Sequence, residues 1–126
     1  MNIPEDLRYT EDHEWARIAG DVVTVGITDY AQGELGDVVY LDLPSVGDQF
    51  QANDTFGSIE AVKAAADLYL PVSGEIVEVN QVLADAPETI NSDPYGEGWM
   101  VKIKISDQGE FNGLMDPSAY QSHIGQ

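Results

Sequence analysis

The sequence predicts a mainly β fold, a sandwich of two antiparallel sheets within one domain over residues 1–126. Three observations point there. Val22-Val23-Thr24-Val25-Gly26-Ile27 is a β-branched run. Trp99 to Ile105 alternates strictly, with Lys102 and Lys104 on one face and Val101, Ile103 and Ile105 on the other. Gly36-Asp37-Val38-Val39-Tyr40-Leu41 is echoed by Gly74-Glu75-Ile76-Val77-Glu78-Val79, which suggests two similar strand units about a pseudo-twofold axis.

Taken in order, Trp15–Ile18 and Val22–Ile27 form a hairpin across Ala19-Gly20-Asp21, which has turn chemistry. Thr28 can cap a short helix over 29–35, which Gly36 stops. Tyr30, Ala31 and Leu35 give that helix its inner side. Asp37 to Leu43 reads as a strand turned by Pro44-Ser45-Val46-Gly47-Asp48. Strand character resumes at Phe50 and over Thr55–Ile59, and again over Val72–Val79. Asn80 to Asn91 is mixed, and Asn91 to Gly98 is dense in turn residues. Pro117 opens a last short helix over 118–124.

Composition excludes several functions. With no cysteine, the chain has no disulfide, no zinc–cysteine site and no thiol nucleophile, so thiol or redox chemistry must come from an attached group. Five basic against 23 acidic residues give a formal charge of −18, which repels nucleic acid and anionic membrane surfaces. That charge suits docking on basic protein surfaces, and equally suits plain solubility. No apolar run is long enough to span a membrane. The acidic start Met1-Asn2-Ile3-Pro4-Glu5-Asp6 resembles neither a signal nor a transit peptide, so a cytoplasmic location is expected. Asp12-His13-Glu14 has too few companions for a metal site, since the only other histidine is His123. No nucleophile, base and orienting group fall in a recognisable pattern, so no catalytic residue is assigned.

Among the five basic residues, Lys63 stands apart near the chain midpoint, between Val62 and Ala64. Its surroundings are ambiguous. Ile59 to Leu70 is rich in helix formers, and Ile59, Val62, Ala66 and Tyr69 fall at helical spacing, so local propensity predicts an amphipathic helix. The tight-turn pair Asn-Gly or Asp-Gly is missing there.

The residues around Lys63 resemble the attachment site of lipoyl and biotinyl carriers. Methionines usually flank a biotinylated lysine, whereas here the flanks are Val62 and Ala64. Glu60-Ala61-Val62-Lys63-Ala64, with Tyr69-Leu70-Pro71-Val72-Ser73-Gly74-Glu75 after it, resembles the H proteins of the glycine cleavage system. His13-Glu14-Trp15, Val25 to Gln32, Leu35 to Val39, and Asn91 with Pro94 to Trp99 are similar to the same family in register. Ala61 departs from it, because serine is common at that position.

The resemblance implies a lipoyl-domain-like sandwich (a barrel-sandwich hybrid) with Lys63 at an exposed hairpin tip, against local propensity. It implies lipoate on Lys63 by amide linkage and a carrier role without catalysis. The cargo is the aminomethyl group of glycine. The implied partners are glycine decarboxylase (P protein, pyridoxal-phosphate dependent), a folate-dependent aminomethyltransferase (T protein), dihydrolipoyl dehydrogenase (L protein) and a lipoylating enzyme. The carrier itself is expected to be a monomer. Glu14 and Glu34 are candidates for contact with the cationic aminomethyl amine. Two other roles are compatible with the residues: a relay donating lipoyl groups to other complexes, and an acidic interaction domain in which Lys63 is a plain surface lysine.

Overall fold

The computed structural model describes residues 2–125. In chain order the elements are β1 (Arg8–Tyr9), β2 (Glu14–Ala19), β3 (Val22–Ile27), α1 (Asp29–Leu35), β4 (Val38–Asp42), β5 (Gln49–Phe50), β6 (Thr55–Ala61), β7 (Ala65–Tyr69), β8 (Gly74–Val79), α2 (Val82–Asp85), α3 (Thr89–Ser92), β9 (Val101–Ile105), α4 (Gln108–Asn112) and α5 (Pro117–His123). One sheet has six strands in the order β1-β2-β3-β9-β8-β5, and the other has three in the order β4-β6-β7. Every pairing is antiparallel. The mainly β sandwich expected from sequence is therefore the fold observed.

The main core lies between the sheets. Val23 and Val25 of β3, Val101 and Ile103 of β9, Ile76 of β8, and Phe56, Ile59 and Leu68 of the β6–β7 hairpin are all buried in it. On β9 the predicted alternation holds, because Val101, Ile103 and Ile105 are buried and Lys104 is exposed. A second cluster of Leu7, Tyr9, Trp15 and Tyr120 fastens the chain ends to the sheet. There Tyr9 and Tyr120 stack at 4.6 Å, and Trp15 Nε1 donates to the Pro94 carbonyl at 2.9 Å.

Caps behave as the residue types require. Thr28 Oγ1 accepts from Ala31 N at 3.2 Å and opens α1. Asp116 caps α5, with Pro117 in its first turn, so this helix spans Pro117–His123, one residue earlier than expected. The Val72–Val79 strand begins only at Gly74, because the Pro71-Val72-Ser73 segment turns into the core and is buried there. The mixed region 80–91 contains the single-turn helices α2 and α3, which are too short to carry a periodic signal.

The six-residue echo has a structural counterpart. Its copies are β4 and β8, one in each sheet. Each has a register shift at the same place, between Val38 and Tyr40 on β4 and between Ile76 and Glu78 on β8. The bulged residues Val39 and Val77 point to solvent, while Val38 and Ile76 before them are buried.

Residues 59–70 form a hairpin, so long-range pairing overrides helix propensity here. Ile59 pairs with Ala66 and Glu60 with Ala65, and Ala61 N donates to Ala64 O at 2.9 Å across the tip. An isolated helix over this stretch would leave Ile59 and Leu68 without the facing sheet, and burying them offsets a propensity difference of a few tenths of a kcal/mol per residue. Gly57 lets β4 lie close, since a Cβ there would collide with the Asp42 carbonyl. Gly57→Ala should therefore lower the urea midpoint, at a cost of about 1–3 kcal/mol, as β4 is pushed off β6. An unchanged midpoint would show that β4 can yield without loss.

Candidate functional site

Lys63 sits in the three-residue connection Val62-Lys63-Ala64 between β6 and β7, and all three residues are exposed. The tip does not hang free. Val62 N donates to Asp37 O at 2.9 Å, and Lys63 N donates to Leu35 O at 3.1 Å. Both acceptors lie where α1 ends and β4 begins. Gly36 permits this approach in two ways. Its φ of +80° is unfavourable for other residues, and a Cβ would stand 3.0 Å from Lys63 Cγ.

The Lys63 ammonium makes one contact among the described residues, a 3.4 Å hydrogen bond to the Gly33 carbonyl. The other four cations are engaged structurally. Arg8 donates to the Asn112 and Leu114 carbonyls and lies over Phe111. Arg17 donates to Tyr95 O and lies 4.9 Å over the Trp15 ring. Lys102 pairs with Glu78 at 3.6 Å and lies over Trp99, and Lys104 approaches Asp21 at 4.0 Å. Among the described residues Lys63 is the one lysine or arginine with neither a carboxylate nor an aromatic face.

Next to the tip is a cleft of about 270 Å³. It is floored by Ile27, Ile59 and Leu68 and flanked by Ala31 and Leu35 of α1. Glu14, Glu34, Asp12 and Asp67 also line it. The cleft thus joins an apolar floor to four carboxyl groups. Sequence reasoning had singled out Glu14 and Glu34, and the fold brings them together. Asp67 gave no signal, because its strand partner Ser58 and the neighbouring α1 are set by tertiary pairing.

Glu14 is buried, and its Oε1 accepts from Thr10 Oγ1 at 2.7 Å. Burial pushes its carboxyl up to about 8, and the charge of Asp12 adds to the rise, against the Thr10 hydroxyl and the Tyr69 backbone, which lower it. His13 beside it is lowered by burial and by His123. Its Nδ1 lies 3.0 Å from Tyr120 Oη, which in turn lies 2.7 Å from Thr28 Oγ1, the cap of α1. The C-terminal helix is thereby linked to the helix that walls the cleft. His13 and His123 lie with ring centroids 5.6 Å apart and tilted by 34° in this aromatic group, and among the described residues no cluster could hold a metal.

Glu14 gives stability a pH signature. Its folded pKa lies above the ordinary carboxyl value, so between about pH 4.5 and about 8 the folded state holds a proton that the unfolded state has lost. Stability should therefore fall as pH rises through that window, by up to about 1.4 kcal/mol per unit from this group. Urea unfolding of wild type and Glu14→Gln across the window should show the variant losing less. Parallel pH profiles would mean that Glu14 is ionised in the fold.

Residues 7–126 match the family model described as "Glycine cleavage H-protein". The chain is 55% identical over 124 residues to the glycine cleavage system H protein of Anaeromyxobacter sp. (strain K), covering 98% of this chain and 97% of that one. It is 47% identical over 126 residues to the Staphylococcus carnosus (strain TM300) H protein, with all of both chains covered. A crystal structure of the Mycobacterium marinum H protein superposes with a TM-score of 0.91 at 42% identity, over 98% of this chain and 100% of that one. This chain belongs to the glycine cleavage H-protein family and is a lipoyl carrier subunit of the glycine cleavage system.

Proposed function

We propose that Lys63 Nζ is the attachment point for lipoate and that residues 1–126 act as a single lipoyl-carrier domain. The observation that carries this is the isolation of Lys63, among the described residues the one lysine or arginine outside every ion pair and ring contact, exposed on a tip held by two backbone hydrogen bonds. The residues fit the group. Small neighbours leave the amine open to a modifying enzyme, and the apolar cleft floor suits a dithiolane. When bound, lipoate supplies the disulfide and dithiol chemistry that accepts and hands on the aminomethyl group of glycine.

The chain's own residues present, shelter and steer. Amide formation at Nζ removes the Lys63 charge and makes the protein one unit more negative, with no ion pair to break. Tethering raises the effective concentration of the arm once the carrier docks. Glu14 keeps its proton to about pH 8, and a cationic amine entering the cleft would draw that proton off to form a shielded pair. Glu34, Asp12 and Asp67 add negative potential around it.

As a glycine cleavage component, the carrier serves the system's enzymes. We take these to be the pyridoxal-phosphate glycine decarboxylase, the folate-dependent aminomethyltransferase and the flavin dihydrolipoyl dehydrogenase. A lipoylating enzyme would modify the chain first. The acidic surface, −18 overall, suits basic docking faces on these proteins. We place the carrier in the cytoplasm as a monomer, in the compartment of these enzymes.

Two measurements test this reading. In decarboxylase-dependent exchange of label between bicarbonate and glycine, Lys63→Arg should drop to the carrier-free background. A Lys102→Arg, Lys104→Arg double variant should keep its exchange, and exchange surviving Lys63→Arg would overturn the assignment. Glu34→Lys should speed loss of cargo from the loaded carrier by about fivefold, the scale of one exposed charge pair. An unchanged rate of ammonia release would remove Glu34 from the site.

A further inference from the structure

The carbonyls that hold the lysine tip belong to a short connection, residues 35–38, that is itself held from its other edge. Its ties come from one side chain on α3. Asn91 Oδ1 accepts from Val38 N at 2.9 Å. Its Nδ2 donates to Gly36 O at 2.9 Å and to Gln32 Oε1 at 3.1 Å. Both donors of the amide are used, and their targets bracket the bend from helix to strand. Gln32 in turn donates to Asp29 Oδ1 at 2.8 Å, which carries the tie back to the first turn of α1.

Hydrogen bonds along this connection alternate in direction. Gly36 and Val38 bond to Asn91, while Leu35 and Asp37 offer their carbonyls to Lys63 N and Val62 N. Among the described residues no other side chain hydrogen-bonds to the backbone of 35–38. Gly36, with φ of +80°, has little conformational restraint of its own. Without the Asn91 amide, Gly36 keeps its N–H bond to the Gln32 carbonyl at 3.0 Å but loses the brace on its own carbonyl, and Leu35 and Asp37 can drift out of line with the tip.

We propose that Asn91 is a positioning residue for Lys63: through residues 36 and 38 it fixes the carbonyls that anchor the hairpin tip, and so sets where the lysine stands for the enzymes that modify and unload it. This rests on the reading of Lys63 as the attachment point. Asn91 bonds to neither the lysine nor a residue lining the cleft, so its effect reaches the tip through the backbone of residues 35–38, with the Gln32 side chain steadying α1. If the anchored tip is the conformation that enzymes recognise, releasing it lowers the competent fraction. The apparent affinity then weakens by that fraction while turnover of the bound complex is kept.

The variants are Asn91→Ala and Asn91→Asp. Asn91→Asp keeps the shape and the acceptor for Val38 N but loses both donor bonds and sets a carboxylate against the Gly36 carbonyl. Two readouts are needed. Hydrogen exchange should speed by about tenfold or more at the Val62 and Lys63 amides, the scale of losing one or two hydrogen bonds, with Val101 and Ile103 unchanged. In lipoylation by an enzyme using free lipoate and ATP, KM for the carrier should rise about tenfold, with kcat within about twofold of wild type. Unchanged tip exchange in Asn91→Asp would overturn the proposal. So would a uniform rise at all amides, which marks a structural residue only, or a fall in kcat at constant KM. Failure of the wild type to accept lipoate at Lys63 would instead overturn the attachment reading, and the exchange data would still decide whether Asn91 anchors the tip.

Discussion

The close approach of the β6–β7 tip to the α1–β4 connection is the contact on which the rest of the site depends. A two-stranded hairpin alone is marginal in water, and its tip is the part that frays first. Here the amides of Val62 and Lys63 are bonded to the carbonyls of Asp37 and Leu35, 25 and 28 residues earlier in the chain. Gly36 makes room for the lysine stem, and Asn91 braces the far edge. The outcome is a lysine with a fixed base and an exposed end, whose ammonium makes a 3.4 Å hydrogen bond to the Gly33 carbonyl. A swinging arm needs that combination, because the reach of the arm is useful only when its pivot stays in place.

Charge shapes the same site. In a chain of formal charge −18, an exposed ammonium would be expected to find a carboxylate, and the two C-terminal lysines do. Among the described residues Lys63 finds none, so acylating it breaks no ion pair there. The carboxyls gather instead in the neighbouring cleft, where Glu14 is buried deeply enough to remain protonated near neutrality. A protonated acid on an apolar floor accepts a neutral ring and can still ionise for an incoming cation. Both features lie in a single pocket of about 270 Å³.

Much of the fold was legible because its signals are local. Strict alternation on β9, the Gly20 turn between β2 and β3, and the Thr28 cap each rest on neighbours in sequence. Even the weak echo between 36–41 and 74–79 marked a real equivalence, down to the bulged valines. At the site the local signal failed. Alanines and charged residues over 59–70 favour a helix, and only pairing with β4 and packing on the opposite sheet make a hairpin of them. Family resemblance supplied that hairpin where propensity could not. Asn91 stood out in sequence as a motif residue without a role, because the groups it bonds lie more than fifty residues away. The burial of Glu14 is likewise a tertiary fact: Thr10 is a neighbour in the turn before it, but the Tyr69 backbone comes to it from β7.

We propose above all that one amine among the five lysines and arginines is set apart for acylation. The direct measurement is intact mass followed by peptide mapping, after co-expression with a lipoylating enzyme. The account predicts the addition of a single lipoyl group, located on the peptide that contains Lys63. Unmodified protein, or a lipoyl group on Lys102 or Lys104, would contradict it.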